Sequence, residues 1–431
     1  MASEIPGQSG QFADPPEAGP LAILGYGITG RALGKFLERR NVPYCAYDSD
    51  PRLAPLGVRS HFSPSGDELV LHSPGMINCD WLRAARDCGC TCLGELDYAQ
   101  RFYRNRTVAL TGTNGKTSTA HMLVHVLRRL GQPCLPTGNL GVPLIGAVEQ
   151  LAAAPDTWNV CEVSSFQAND LCHFSPDILL WTNFSDNHRD IHGSLAAYWF
   201  AKWNLLKRCR GIAFVGEGLL PWTKKFNCPL PANVRVVAAE LADDVPRRGA
   251  LAPAHQRANY AIVRELLSAE GFSVREADRA MADFRTPPHR LAICRTIGAV
   301  DIWNDSKATT AAAAAAALAH VAEDGRPCLW IACGRSKGED LENFRPLLAR
   351  AAEVLAFGEI AAPLAEKFGK KVQILGEKEQ LFPSIGDFIR RRRGRPAAVL
   401  FSPGCASFDA FSDYGDRGNW FVAGMELLPG K

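Results

Sequence analysis

A glycine-rich segment, T-G-T-N-G-K-T at residues 111–117, follows the apolar run 108–110 and precedes an apolar helical pattern. A strand that turns through glycines into a helix lets backbone N–H groups face phosphate oxygens, and the helix N-terminus adds partial positive charge. Lys116 can reach the β- and γ-phosphates, and the Thr117 hydroxyl can ligate Mg²⁺. Leu110 stands where the general P-loop pattern has its first glycine. The segment therefore indicates one particular kind of ATP enzyme.

A second glycine motif, G-Y-G-I-T-G at residues 25–30, follows a predicted strand at 21–24 and opens a predicted helix. The next predicted strand, 43–47, ends at Asp48. An acid about 20 residues after such a motif completes the G-x-G-x-x-G dinucleotide fingerprint. Taken alone, the motif favours a nicotinamide oxidoreductase, although the same backbone chemistry can hold another nucleotide diphosphate.

Three further polar side chains belong to clusters that lie where predicted strands end, at the sheet edge where doubly wound folds bind ligands. They are Glu162, His188 and, fourteen residues past that histidine, Lys202. An acid at the position of Glu162 can hold Mg²⁺, but residue types alone favour a helix-capping carboxylate. His188 can be a metal ligand or an acid–base group, although a single histidine in a polar loop is more often neither. Residue types alone make Lys202 a surface lysine on a helix that packs through its aromatic side chains.

Composition excludes several functional classes. The chain has 431 residues with a formal net charge of +3, so we expect neither a nucleic acid nor an anionic membrane as a partner. No apolar run reaches the roughly 18 residues that cross a bilayer. The first twenty residues lack the basic and apolar regions of a secretory signal. Scattered cysteines are typical of free thiols in a reducing cytoplasm, which is the predicted location.

Predicted strands and helices alternate along the chain, which indicates an α/β fold of mostly parallel sheets with helices on both faces. We expect a disordered Gly/Pro/Ser tail at residues 1–20. Three domains are predicted after it: a Rossmann-like N-terminal domain at 21–105, a P-loop ATPase-like central domain at 106–288 and a Rossmann-like C-terminal domain at 289–431. In the last domain, strands are predicted at 301–303, 328–332, 354–357, 372–375 and 397–401.

Taken together, these motifs resemble the Mur ligases, which build the peptide stem of bacterial peptidoglycan. The resemblance is carried by the 111–117 loop, by E-V-S-S-F-Q at 162–167, by the loop that contains His188 and by Lys202. Two later motifs, N-D-S-K-A-T at 304–309 and S-P-G-C-A-S-F-D at 402–409, resemble those of the D-glutamate-adding members. The motifs stand in the family's order along nearly the whole chain.

The resemblance implies an ATP-dependent amide ligase that adds D-glutamate to UDP-N-acetylmuramoyl-L-alanine in cytoplasmic peptidoglycan precursor synthesis, a part of cell wall formation. ATP would phosphorylate the alanyl carboxylate, and the amine of D-glutamate would attack the acyl phosphate. Lys116, His188 and Lys202 would be catalytic. Mg²⁺, expected at two sites, would be held by Thr117, Glu162, His188 and a carbamylated Lys202. The protein is expected to be a monomer.

The resemblance also assigns three sets of binding residues. The N-terminal domain would bind the UDP-substrate, the central domain ATP, and the C-terminal domain the amino acid and part of the nucleotide. ATP contacts are implied for Gly112, Thr113, Asn114, Gly115, Lys116, Thr117, Ser118, Asn259, Arg290 and Asp305. UDP-substrate contacts are implied for Gly27, Ile28, Thr29, Asp48, Ser49, Ser73, Gly75 and Asn139. D-Glutamate contacts are implied for Lys307, Thr309, Lys337, Ser407 and Tyr414.

The sequence departs from the family pattern beside the histidine, where Asn187 replaces the usual acid and Arg189 an apolar residue. The lost charge is expected to weaken the second magnesium site. Three alternatives stay open at the level of sequence. They are a sibling ligase that uses another amino acid or folate, a nicotinamide oxidoreductase, and a protein that binds ATP without consuming it.

Overall fold

The computed structural model of the protein describes residues 21–66 and 68–429. The tail predicted at residues 1–20 lies outside this described range. Within it, the strands assemble into three sheets in which almost every described pairing is parallel. The predicted α/β class is therefore confirmed. No helix in the described part of the chain is long and apolar enough to cross a membrane.

The N-terminal sheet has the strand order β2-β1-β3-β4, with parallel pairing throughout. Leu24, Val70 and Leu82 lie in its buried core. The parallel arrangement brings the loops after β1, β2 and β3 to one edge. The elements are β1 (Leu21–Leu24), α1 (Ile28–Arg39), β2 (Tyr44–Tyr47), β3 (Leu69–His72), α2 (Asp80–Asp87), β4 (Thr91–Gly94) and α3 (Glu95–Ala99).

The central sheet has the order β10-β9-β8-β5-β7-β6. Every residue of β5, β7 and β8 is buried, as expected for strands covered on both faces. Its elements are β5 (Thr107–Thr111), α4 (Lys116–Arg129), β6 (Cys134–Gly138), α5 (Leu144–Ala153), β7 (Trp158–Glu162), α6 (Ser165–Asn169), β8 (Ile178–Trp181), α7 (Arg189–His192), α8 (Leu195–Lys207), β9 (Ile212–Gly216), α9 (Leu220–Lys225), β10 (Val234–Val237), α10 (Ala254–Ala269) and α11 (Val274–Ala280).

The C-terminal sheet has the order β11-β12-β16-β13-β14-β15. All the strands predicted from sequence are present. The antiparallel strand β11 was not predicted; it forms a hairpin with β12 through Gly298, which has a φ of 59°. The elements are β11 (Ala292–Ile297), β12 (Val300–Asn304), α12 (Ala311–Val321), β13 (Cys328–Cys333), α13 (Arg345–Arg350), β14 (Glu353–Phe357), α14 (Ala361–Phe368), β15 (Val372–Ile374), α15 (Leu381–Arg392), β16 (Ala397–Gly404) and α16 (Tyr414–Glu426).

The described chain divides into two compact units. The first holds the described part of residues 1–111 together with Gly131–Leu179 and Phe200–Ala213. The second holds Gly112–Leu130, Leu180–Trp199 and the described residues from Phe214 onward. The boundaries predicted from sequence between domains stay predictions.

Candidate active site

The phosphate loop of the second unit leads into α4 through two glycines with positive φ. The φ angle is 150° at Gly112 and 83° at Gly115. A Cβ atom at Gly115 would lie 2.5 Å from the Asn259 side-chain oxygen, and one at Gly112 would lie 2.1 Å from the Thr182 hydroxyl. Both conformation and space therefore require glycine at these two positions.

The segment that follows β8 holds this loop in place. The Thr113 N–H donates to the Asn183 carbonyl at 3.0 Å, and the Asn114 N–H donates to the Asn183 side-chain oxygen at 2.9 Å. The Thr182 hydroxyl donates to the Asn114 carbonyl at 2.6 Å. Since these early amides already have partners, the amides from Gly115 into the first turn of α4 are the candidates for phosphate binding.

Lys116 is the first residue of α4, and its side chain folds across the loop. Its ammonium donates to the Gly112 carbonyl at 2.8 Å and to the Thr113 carbonyl at 3.0 Å. These contacts hold a positive charge beside the amides that can bind phosphate. Thr117 is partly buried in the same turn, and Ser118 is buried.

His188 stands in an unusual backbone conformation, with a φ of 54°. The neighbouring Asn187 is buried, and its side-chain oxygen accepts the His188 N–H at 2.9 Å. The imidazole lies against the Tyr198 ring with centroids 5.8 Å apart. The Tyr198 hydroxyl donates to the Thr113 hydroxyl oxygen at 3.1 Å, so an aromatic side chain connects His188 to the phosphate loop.

Two predicted nucleotide residues of the second unit reach the phosphate loop or α4. Asn259 is buried in α10 against Gly115. The Arg290 guanidinium donates to the Ser118 hydroxyl at 3.4 Å. Asp305 accepts from the Leu291 N–H at 3.0 Å and from Ser402 at 2.8 Å, and burial raises the pKa of its carboxyl to about 7.

The predicted D-glutamate residues also belong to the second unit. The Lys337 ammonium donates to the Thr309 hydroxyl at 3.2 Å. Burial, and next the nearby Lys116 charge, lower the pKa of Lys337 to about 8. The Lys307 ammonium lies 3.8 Å from the centre of the Tyr414 ring, a cation–π contact.

Ser407 is buried in the turn before α16, where its carbonyl accepts the N–H groups of Ala410 and Phe411. The structure brings Lys337 and Thr309 into direct contact and Lys307 and Tyr414 into another. The grouping of Ser407 with these two pairs stays a prediction.

Glu162 lies in the first unit at the end of β7, in register with Leu110 of β5. Its Oε1 accepts from the Asn139 side-chain amide at 2.8 Å, and its carbonyl accepts the Asn139 N–H at 2.9 Å. Its other oxygen, Oε2, is buried without a hydrogen-bond partner. Ser164, and not Glu162, caps the following helix α6. The capping role favoured by residue types alone is therefore wrong.

Lys202 is 1% exposed and lies in the core of the first unit. The surface position favoured by residue types alone is therefore wrong. Its ammonium donates to the Thr111 hydroxyl at 3.2 Å, and that hydroxyl donates to the Val163 carbonyl at 3.0 Å. A lysine this deeply buried requires compensation for the lost hydration of its charge.

The predicted UDP-substrate loops meet at one edge of the N-terminal sheet. Asp48 accepts the Tyr26 N–H at 2.7 Å, and the Ser73 hydroxyl donates to the Gly25 carbonyl at 2.6 Å. A Cβ atom at Gly30 would lie 2.1 Å from the Gly25 carbonyl, which explains the last glycine of the motif. Of the other predicted residues, Gly27 is the N-cap of α1, and Ile28 and Thr29 lie in the first turn of that helix. Ser49 and Gly75 lie in the segments after β2 and β3.

Comparison with known proteins identifies the family. Residues 110–227 match the model of the Mur ligase middle domain. The UDP-N-acetylmuramoylalanine–D-glutamate ligase of Gloeobacter violaceus is 32% identical, over 95% of this chain and 99% of that protein. The enzyme of the same name from Solibacter usitatus is 31% identical, over 94% and 97%.

The chain belongs to the Mur ligase family. Its fold agrees with this membership. The MurF ligase of Thermotoga maritima in complex with ADP has a TM-score of 0.56 at 15% identity, over 91% of each chain. The segment that matches the Mur ligase middle domain contains the phosphate loop, Glu162, His188 and Lys202.

The resemblance to the Mur ligases predicts a set of magnesium ligands, and the surroundings of these residues show whether they fit a cation. In the described part of the chain, no three His, Cys, Asp or Glu side chains are grouped as a metal site. Of the four predicted ligands, only Glu162 and His188 are of these residue types. The other two are the Thr117 hydroxyl and a carbamylated Lys202. The buried, unpartnered Oε2 of Glu162 is the observation that fits a cation.

Sequence reasoning missed two groups that the structure places in the site. Tyr198 links His188 to the loop, but an aromatic in a helix carries no motif. Glu339 is buried, and burial raises its pKa to about 7. The only signal for Glu339 was an acid two residues after Lys337, in a segment that matches the family loosely.

Proposed function

We propose that the protein joins D-glutamate to UDP-N-acetylmuramoyl-L-alanine with hydrolysis of ATP, in the cytoplasm and as a monomer. The product would feed peptidoglycan synthesis. The observation that carries this proposal is the likeness of nearly the whole chain, at 30–32% identity, to relatives named for this activity.

The phosphate loop supports the use of ATP. The amides from Gly115 onward and the Lys116 ammonium would bind the transferring phosphate and neutralise charge as it develops. Asn259, packed against Gly115, would contact the adenine, while Arg290 and Asp305 would place the nucleotide.

The reaction would proceed in two steps. In the first, an oxygen of the alanyl carboxylate takes the terminal phosphoryl group of ATP, and ADP leaves. In the second, the D-glutamate amine attacks the acyl carbon, the C–O bond to phosphate breaks, and the nitrogen loses a proton as the amide forms. Phosphorylation is needed because a carboxylate is a poor electrophile, and water must be excluded because it would consume the acyl phosphate.

Magnesium, when bound, would neutralise phosphate charge and polarise the transferring group. Thr117, Glu162, His188 and a carbamylated Lys202 are the proposed ligands. Carbamylation adds CO₂ to the neutral amine and releases a proton, which turns the lysine into an anionic oxygen ligand. The burial of Lys202 supports this assignment, because the modification would replace a buried ammonium with a group that a cation can pair.

The substrates that flank the reacting carboxylate would be held by loops at strand ends. Gly27, Thr29, Asp48, Ser49 and Ser73 would hold the UDP group, as a helix N-terminus holds a diphosphate. Asn139 would contact the sugar part of the same substrate, with its orientation fixed by Glu162. Ile28 and Gly75 complete this set.

The amino acid would bind on the C-terminal side. Lys337, Thr309, Lys307, Ser407 and Tyr414 are the proposed contacts. Two ammonium groups and three hydroxyls suit a substrate with two carboxylates, because charged hydrogen bonds to carboxylate are stronger than neutral ones.

A product assay tests the choice of amino acid. The purified protein, ATP, Mg²⁺ and UDP-N-acetylmuramoyl-L-alanine are incubated with D-glutamate, L-glutamate, L-lysine or meso-diaminopimelate, and products are identified by mass. We expect a new amide with D-glutamate alone. Product with L-lysine or the diamino acid and none with D-glutamate would assign the chain to a sibling activity.

A further inference from the structure

The segment 337–339 places two charged side chains in one small region of the second unit. Lys337 donates to Thr309 at 3.2 Å. Glu339 is 7% exposed, and its Oε1 accepts the Ala311 N–H, the first amide of α12, at 3.4 Å. Gly338, between them, has a φ of 75°, a backbone conformation that favours glycine.

The start of α12 is itself fixed to the phosphate loop. The Thr310 hydroxyl caps the helix by accepting the Ala313 N–H at 3.2 Å. The same hydroxyl donates to the Asn114 side-chain oxygen at 3.1 Å. A carboxylate at the N-terminus of this helix is favourably placed, because the helix dipole adds partial positive charge there. Glu339 is therefore held next to the phosphate-binding region without being part of the motif.

The charges around this pair come from several elements. The charged and titratable groups that influence the pKa of Lys337 are Lys116, Glu339, Cys405 and Asp190. The Asp190 N–H also donates to the Lys337 carbonyl at 3.4 Å. The Lys116 charge opposes the charged form of Lys337, whereas Glu339 and Asp190 favour it.

The surroundings of Glu339 are simpler. The Lys337 charge and the Ala311 N–H favour its ionised form, whereas burial and the Asp186 carboxylate oppose it. Glu339 has no role in the proposed chemistry so far, although it is buried two residues from Lys337, a proposed contact of D-glutamate.

We propose that Glu339 is a positioning residue for the amino-acid substrate: bound to the first amide of α12 and two residues from Lys337, it keeps the Lys337 side chain directed to Thr309, where the ammonium binds a carboxylate of D-glutamate. This inference rests on the proposed function. Glu339 itself would not touch the substrate, since a carboxylate repels another.

The test compares Glu339→Gln with the wild-type protein and with Glu342→Gln, which removes an exposed acid of the same segment that pairs with Arg345. The KM for D-glutamate is expected to rise about tenfold in Glu339→Gln, with kcat and the KM values for ATP and the UDP-substrate nearly unchanged. Glu342→Gln should match the wild type in every constant.

A pH series separates positioning from mere structural support. Burial raises the pKa of Glu339 to about 7, so the wild-type acid is neutral at low pH, as glutamine is. The ratio of the two KM values should therefore approach one at about pH 6 and increase toward about pH 8.5. The amine of free D-glutamate ionises identically in the two assays, so its effect on KM cancels from the ratio. A ratio that does not change with pH, or equal rises in all three KM values, would overturn the inference.

The remaining outcomes are also decisive. If the glutamine variant does not fold, Glu339→Asp is used, and it should raise the KM for D-glutamate alone, by about threefold. An unchanged KM in that variant would reject the positioning role. Wild-type protein that forms no amide with D-glutamate would instead reject the proposed function. If the wild-type protein is active with D-glutamate and Glu339→Gln has the same KM for it, this inference alone is rejected and the proposed function stands.

Discussion

Lys202 of α8 and Thr111 of β5 form a hydrogen bond of 3.2 Å in the interior of the first unit, although 91 residues separate them in sequence. The lysine is almost wholly buried, and burial of an ammonium is costly unless it is paired or modified. This contact places Lys202 at the end of the strand that leads into the phosphate loop. It is the structural basis for assigning the residue a function.

The first prediction concerns this lysine. Lys202→Ala should be inactive, because it removes the anion that carbamylation would supply, and short carboxylates such as formate or acetate should restore part of the activity. Lys207→Ala, an exposed lysine on the same helix, is the matched control and should keep full activity. Electron density for a carbamate on Lys202 in a crystal would support the account directly. An active Lys202→Ala protein would contradict it.

Lys116 gives the second prediction. Lys116→Ala should reduce phosphoryl transfer by several orders of magnitude, because it removes the charge that balances the transferring phosphate. The fold should persist, since the Gly112 and Thr113 carbonyls that accept from the Lys116 ammonium belong to its own loop. Turnover and thermal unfolding are measured together, with Lys224→Ala as an exposed lysine control. Near-normal turnover would exclude the assigned role.

The third prediction separates two reasons why a position requires glycine: a positive φ angle, and a lack of space for a Cβ atom. Gly115 and Gly131 both have positive φ, 83° and 75°, but only Gly115 has a neighbour that a Cβ would meet, at 2.5 Å. Gly131→Ala should cost about 1 kcal/mol of unfolding free energy from backbone strain alone.

Gly115→Ala should cost more and should also weaken ATP binding, because the Asn259 side chain must move. Denaturant unfolding and ATP titration provide the two readouts. Equal losses of stability, with ATP affinity unchanged in both variants, would show that the close contact has no role.

The fourth prediction concerns pH and Glu95. Burial raises the pKa of this acid to about 7, while its Oε1 accepts the Ile145 N–H at 2.6 Å. The folded state therefore keeps a proton that the unfolded state releases near pH 4.5, and stability should fall as pH rises from about 4.5 to 7. A pKa difference of this size corresponds to about 3 kcal/mol.

Glutamine at position 95 can accept the same N–H and does not ionise. Glu95→Gln should therefore lose this part of the pH dependence and gain stability relative to the wild type above pH 7. Denaturant midpoints across the range provide the measurement, with Glu240→Gln as an exposed control. Parallel curves for the Glu95→Gln and wild-type proteins would contradict the assignment.

Sequence predicted best those features that depend on neighbouring residues. The loop 111–117 and the helix after it follow from local glycine and lysine chemistry, and the structure has a strand, a turn and a helix there. Alternation of apolar strands and helices predicted the α/β class for the same reason. The edge strand β11, A-I-C-R-T-I, was missed although most of its residues are apolar or β-branched, because periodicity alone does not identify so short an apolar run.

Features that depend on distant contacts were not accessible from residue types. Lys202 lies in an aromatic helix whose sequence favours a surface position, whereas the folded chain buries this lysine and places it against Thr111. Glu339 has no motif, and its environment is created by the start of α12. Similarly, Glu162 could not be distinguished from a helix cap until Ser164 was found to occupy that role.

Phosphate release in a coupled assay tests the central claim most directly. Purified protein, ATP, Mg²⁺ and UDP-N-acetylmuramoyl-L-alanine are mixed with and without D-glutamate, and inorganic phosphate is followed continuously. We predict sustained release only when all components are present, because the acyl phosphate discharges its phosphate when the amine attacks. Release that is equally fast without D-glutamate, or absent with every component supplied, would contradict the account.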